Sequence, residues 1–494
     1  MASEHPDLVI RNGLLVTASE TFCSDLLIRA GKISAVGQEI HADGAVEIDA
    51  RGLLVMPGGI DSHVHLQYPQ GPHRVVSSDD WLTGTVAAAH GGTTTIIDFV
   101  EALPDQTWMQ AFEARLAEAA PQAVIDYGFH MAFNRVDERS LQAVKSVIEA
   151  GISSFKIYMA YEGIRLEDEG ILRALEHLKA SGALPLVHAE NHALIRYLTR
   201  MHHAAGHTEV RWHPYAHPAA GEAEATYRIL TLAAQLDIPV HIAHVSAAQV
   251  LKVLREFRAR GHQVSGEVCP QHLLLTEALY DQPDEVAMRY VMSPPLRSAA
   301  DNGALWQALQ EGLLGCVVTD HCPFTLAQKR GMRRTPEFRR LPDGSVQAME
   351  PESPWAEHTP SFDQVPGGAP GIETRLPLLY HFGVRTGRLS LPQFVACTST
   401  AIARRFGLYP RKGSLMPGAD ADLVLFDPER SVTLSATTLH QNCDYTPFEG
   451  WTVTGWPRMV LSRGEVIVRD GQFVGRPGRG EYLKRAPYAF VTHC

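Results

Sequence analysis

The chain has 494 residues, 45% of them hydrophobic and 20% charged, a balance that suits one large folded domain with a smaller companion. A formal net charge of −11 argues against nucleic acid and against an anionic membrane surface as partners. The seven cysteines form no C-x-x-C pair, no apolar run reaches the roughly 18 residues of a membrane span, and the start "MASEHPDLVIRNG" lacks a secretory leader's basic and apolar regions, so a soluble cytoplasmic protein with free thiols is expected.

Residues 1–56 read as short strands with tight turns, and Asn12-Gly13 and Ala30-Gly31-Lys32 carry hairpin chemistry. From 57 to 412 the pattern changes. Apolar runs such as "GTTTIIDFV", "ISSFKIYMAY", "LPLVHAE" and "IPVHIAHVS" alternate with helical segments, the signature of a parallel sheet covered on both faces. The number of units, and the lack of a glycine-rich phosphate fingerprint after the first strand, predict a (β/α)8 TIM-like barrel rather than an open doubly wound sheet. Hairpins return over 413–475, and 476–494 forms a C-terminal extension. Residues 1–56 and 413–475 are therefore expected to build one small β-sandwich from both ends of the chain.

In such barrels chemistry collects at the C-terminal ends of the strands. The first barrel strand ends in "GGIDSHVHLQYP", where His63 and His65 share a face and can bind one ion, with Asp61 deeper on that face. The plain alternative is a turn with incidental histidines. Lys156 lies inside the apolar run "SSFKIYMAYEG", where an unpaired ammonium is costly; its plain alternative is an amine that snorkels to the surface. Later strands end in His188, His244 and Asp320. His241 and His244 are three apart and face opposite ways on a regular strand, so only one can point into the site. His244 lies nearer the C-terminal end, and His241 reads as a structural histidine. His202, His203, His207, His213 and His217 read as a polar loop flanking the mouth of the site, with a local metal site as the lesser alternative.

Five of these segments, "PGGIDSHVHL", "FKIYMAY", "VHAEN", "IAHVS" and "VVTDHCPF", occur in the order seen in the cyclic amidohydrolases, and most resemble the dihydropyrimidinase and hydantoinase branch. The resemblance spans nearly the whole chain, including the late "DYTPFEGWTVTGWP". It implies a metal-dependent hydrolase that opens the cyclic amide of hydantoins, dihydropyrimidines or related cyclic ureides and imides. It further implies two divalent ions, zinc being expected, and a homotetramer. By the same resemblance Lys156 is N-carboxylated by carbon dioxide and spans both ions; a free lysine, with pKa near 10.4, would repel them. His63, His65 and Asp320 would hold one ion, and His188 and His244 the other. Asp320 would shuttle the proton, Tyr161 would hydrogen-bond the developing oxyanion, and the backbone of Ser293 would meet the ring. Tyr161 also admits a core-packing role, and Ser293 a structural turn with Pro294 and Pro295. Allantoinase or dihydroorotase activity is the alternative inside the enzyme class. A non-catalytic assembly protein is the alternative outside it, and the complete ligand set discriminates against that.

The chain departs from the branch at three places. Gly367 stands where an asparagine usually holds the ring, Gln70 replaces a common aromatic, and the stretch before "VPGGAPG" is long and basic, with Lys329, Arg330, Arg333, Arg334, Arg339 and Arg340. These features predict a polar pocket that prefers a polar or anionic ring substituent over plain dihydrouracil. A solvated charged loop is the plain reading of the same residues.

Overall fold

The computed structural model describes residues 6–71, 75–333, 339–343, 345–347 and 354–488; Arg334 and Cys494 lie outside them. Eight parallel strands follow one another around the molecule: Gly59–Val64, Thr93–Val100, Asp126–Ala132, Ser154–Tyr158, Leu184–His188, Val240–Ile242, Val264–Val268 and Cys316–Val317. Every residue of these strands is buried, which explains why they read as continuous apolar runs rather than as alternating ones. The ring closes beyond the last strand, where Val64 bridges His321 and the His65 N–H donates to the His321 carbonyl at 2.8 Å.

Helices cover the outside by burying one stripe each. Asp168–Ala180 buries Ile171, Ala174, Leu175 and Leu178, the spacing of a single helical face. Trp108–Ala119 starts at Thr107, whose hydroxyl accepts from the Gln110 N–H while the Gln110 side chain accepts from the Thr107 N–H.

The chain ends meet in a nine-stranded sheet. The N-terminal strand Leu54–Pro57 pairs antiparallel with the C-terminal strand Leu423–Thr433, and this ladder joins the two pieces. The sheet encloses its own core, with Ile10, Leu26, Ile33, Val55, Leu423 and Leu461 among its members. Ala30 and Gly31, at φ 47° and 74°, form the expected tight hairpin between Thr21–Arg29 and Lys32–Gly37. Asn12-Gly13 does not turn the chain. It is a bulge inside the strand Leu8–Val16, where a Gly13 side chain would meet Val55 Cγ2 at 2.5 Å. Beyond the sheet, residues 480–488 run under the barrel. Backbone bonds from Gly480 to Ala123, Leu483 to Tyr127 and Arg485 to Gly151 hold this segment there.

Candidate active site and metal centre

The C-terminal ends of five barrel strands bring the expected side chains together. His63 and His65 come from the first, Lys156 from the fourth, His188 from the fifth, His244 from just beyond the sixth and Asp320 from just beyond the eighth. His65 Nε2 lies 3.2 Å and His63 Nε2 3.4 Å from Asp320 Oδ1. His188 Nδ1 and His244 Nε2 are 3.0 Å apart. Lys156 Nζ lies 3.3 Å from His63 Nε2, and the rings of His63 and His244 are 5.3 Å apart, so the two groups form one cluster.

Local backbone geometry aims these groups. Tyr161, His244 and Asp320 all adopt positive φ, at 76°, 33° and 52°. Left-handed backbone in non-glycine residues costs on the order of 1–3 kcal/mol each and persists where the surrounding structure enforces it. The sharp turn lets a side chain beyond the strand end swing back over the barrel mouth.

Burial sets the electrostatics. It holds the His63 and His244 imidazoles well below their ordinary pKa and therefore neutral, with lone pairs free for a cation. It also pulls Lys156 down to about 8, against the lifting effect of Asp320, Glu267 and Glu101. Burial alone would raise Asp320, but the hydrogen bond to His65 and the positive field of its neighbours keep its carboxyl well below the ordinary range. The Tyr161 phenol is pushed up by burial and by Glu190, so it remains a donor.

A second layer of carboxylates escaped the sequence reading. Glu267 hydrogen-bonds His63 Nδ1 on one oxygen and His241 Nε2 at 3.1 Å on the other. Glu190 takes His188 Nε2 at 2.8 Å and His217 Nδ1 at 2.9 Å, with the Tyr161 hydroxyl 3.4 Å away. His241, bonded also to Ser265, is the core histidine expected from its position. The polar-loop reading of His202–His217 is corrected. His202 and His203 stand on the helix His192–Ala204, whereas His213 and His217 are buried, and His217 belongs to this second layer. A signal existed for Glu190: it lies two residues beyond His188 in "VHAEN", on the same side of an extended chain.

The wall facing the cluster carries the remaining expected contacts. Ser293 adjoins Gly367, where an added Cβ would lie 4.0 Å from the Ser293 hydroxyl. Gln70 Nε2 donates to the Gly367 carbonyl at 2.7 Å, so two of the departures from the branch touch each other. Lys329 is fully buried and donates to the carbonyls of Val291 and Pro366 at 3.1 and 2.8 Å.

The donor set fits divalent ions. Ligand atoms of His63, His65 and Asp320 lie within 4.8 Å of one another, and two of the imidazoles are backed by carboxylates, the usual support for metal-bound histidines. A (β/α)8 barrel with such a centre over its strand ends is the framework of a metal-dependent hydrolase. The chain belongs to the amidohydrolase family, which matches residues 54–467. It is 42% identical to the D-hydantoinase of Geobacillus stearothermophilus over 482 residues, which cover 97% of each chain. It is 40% identical to the D-phenylhydantoinase of Escherichia coli O1:K1 / APEC over 484 residues, 97% of this chain and 98% of that one. The crystal structure of dihydropyrimidinase from Brevibacillus agri NCHU1002 superposes with a TM-score of 0.90 at 40% identity, covering 98% of this chain and 100% of that one. No helix among the described residues is long and apolar enough to cross a membrane.

Proposed function

We propose that this chain opens the ring of hydantoins, dihydropyrimidines or related cyclic ureides, with His63, His65, Lys156, His188, His244 and Asp320 as the metal-holding set. The observation that carries the reading is the convergence of Lys156 with five ligand-type side chains from four other strands. Relatives along its whole length are hydantoinases, and the chain is a cyclic amide hydrolase. The complete ligand set leaves no support for a non-catalytic assembly role.

His63, His65 and Asp320 would hold one ion, His188 and His244 the other, and Lys156 as a carbamate would link them, with zinc the expected metal. Such ions, when bound, acidify a water and polarise a carbonyl. A Lys156 amine with a pKa near 8 supports carboxylation, because the neutral amine is the form that adds to carbon dioxide. Asp320 stands beside both imidazoles, placed to take a proton from the attacking water and return it to the ring nitrogen as the C–N bond breaks. Tyr161, a phenol held by its neighbours, donates to the carbonyl oxygen as charge develops there. Ser293 and Gly367 meet the ring through backbone groups. The Gly367 carbonyl is already taken by Gln70, which leaves its N–H for the substrate.

A ring-opening panel of dihydrouracil, hydantoin, 5-substituted hydantoins, allantoin and dihydroorotate tests the reading. Turnover of hydantoins or dihydrouracil above the other two supports it. Turnover of allantoin or dihydroorotate alone assigns the chain to the alternative activity, and no turnover after metal and bicarbonate are supplied refutes both. The homotetramer implied by the resemblance is tested by the mass of the protein in solution, and a monomer would count against it.

A further inference from the structure

A cavity of about 1150 Å³ opens beside the metal-ligand cluster. Phe99 and Tyr68 belong to its lining, and their rings lie 4.6 and 4.7 Å from that of His65. The charged groups farther out are mostly committed. Arg115 pairs with Asp98 and Glu118, Arg135 donates to the carbonyls of Leu103 and Pro104, Arg339 pairs with Asp80, and Glu162 pairs with Arg196. Arg333 stands exposed, where water and salt screen its charge.

Glu101 is different. It follows Phe99 by two residues at the end of the second barrel strand, so both point to the interior face. Its Oε1 accepts from the Tyr68 hydroxyl at 2.8 Å and from the Tyr158 hydroxyl at 3.1 Å. Its Oε2 accepts a hydrogen bond from no described residue, and the residue lines the cavity. Holding two tyrosines would use one oxygen and could be done by a neutral amide. Facing the cavity rather than sealed in the interior, that oxygen is open to a donor from water or from a ligand.

We propose that Glu101 is a specificity-determining residue, whose free oxygen receives a hydrogen-bond donor on the ring substituent and favours substituents that end in an ammonium over those that end in a carboxylate. This rests on the cyclic-ureide reading above and deepens it. It also reverses the sequence-based expectation of an anionic substituent. Lys329 is spent on carbonyls, Arg330 lies 3.6 Å from Glu285, Arg339 is paired with Asp80, and Arg340 donates to the Ala436 carbonyl at 2.6 Å. The inner wall of the cavity presents a carboxylate instead.

Two hydantoins of matched length, one bearing an aminopropyl and one a carboxyethyl chain at the ring carbon, test this with the metal-loaded full-length protein. The quantity is the ratio of their kcat/KM values in wild type, Glu101→Gln and Tyr68→Phe. Wild type is expected to favour the ammonium compound by at least about tenfold. Glu101→Gln, which keeps an acceptor for both tyrosines, should bring the ratio close to one. Tyr68→Phe keeps the carboxylate and should keep the preference; loss of the preference there too would mean that Glu101 acts only by holding its neighbours, which overturns the proposal. So would a wild-type ratio near one, or a ratio unchanged in Glu101→Gln. Calorimetric titration of the same two compounds reads the preference without turnover. If neither compound nor plain hydantoin is opened, the cyclic-ureide reading fails, and equal binding of the two compounds then overturns the Glu101 role separately.

Discussion

His63 shows how the site is built one residue at a time. Its Nε2 faces Lys156 and Asp320, and its Nδ1 is held by Glu267, which also holds His241. That second contact fixes the ring's tautomer and orientation before any cation arrives. Glu267→Gln is therefore expected to cost about 10–100-fold in metal affinity, the usual effect of losing such a partner. Titration of the metal-depleted variant with zinc reads this directly, and wild-type affinity would show that Glu267 is only a core residue. His63, His65, His188 and Asp320 were legible in the sequence because histidines and aspartate at strand ends stand out against apolar runs. Glu267, Glu190 and Glu101 were not. A single acidic residue within or just beyond an apolar strand has no spacing signature, and its meaning depends on which side chains the barrel folds against it.

At the scale of elements, the strands end where the chemistry begins. Cys316–Val317 is a short strand, and three residues later the positive φ of Asp320 returns its carboxylate to the barrel mouth. Thr319 anchors that turn by donating from its N–H and hydroxyl to Asp61, at 3.2 and 2.6 Å. Asp320→Asn keeps this turn and its volume but would remove the proposed proton acceptor and one proposed anionic ligand. A rate loss of at least about a hundredfold is expected, the range for a general acid–base group. A loss of only a few-fold with metal retained would assign the shuttle to another residue. The alternation of strands and helices was legible because periodicity reports burial. The bulge at Asn12-Gly13 was not, since the same dipeptide serves a hairpin or a bulge, and register against Thr21–Arg29, which shifts between Ile10 and Gly13, decides which.

Across the whole molecule, Lys412 joins the barrel to the terminal sheet. Its buried ammonium lies 2.6 Å from Asp126 on the third barrel strand, 2.6 Å from Asp422 and 3.1 Å from Asp420, both just before the sheet strand Leu423–Thr433. Lys412→Met would leave the buried Asp422 without its cation, while Asp126 keeps Arg463 and Asp420 keeps Lys32 and Arg411, and should cost about 3–5 kcal/mol in urea unfolding. Burial raises Asp420, but Lys412, Lys32 and Arg411 overcome it and bring its carboxyl to about 2 from an ordinary 3.8. A depressed carboxylate stabilises the fold above its unfolded value, and this contribution is lost as pH falls from about 4 toward about 2. The acid midpoint of Lys412→Met should therefore lie above that of wild type, and an unchanged midpoint and urea stability would contradict the junction. The union of both termini in one sheet was legible from hairpins at either end of the chain. The junction was not, because Asp126 lies 286 residues from Lys412, and a lysine and aspartates are ordinary surface residues until the fold buries them together.

The central claim is that Lys156 joins two metal ions in a cyclic amide hydrolase. Metal analysis of wild type and Lys156→Ala, each purified with zinc and bicarbonate and assayed with hydantoin, tests it most directly. Wild type should carry about two ions per chain, as a bridged two-metal site requires. Lys156→Ala should lose metal and turnover together, with short carboxylic acids restoring part of the rate by occupying the vacated space. Wild-type metal content and wild-type turnover in Lys156→Ala would contradict the claim.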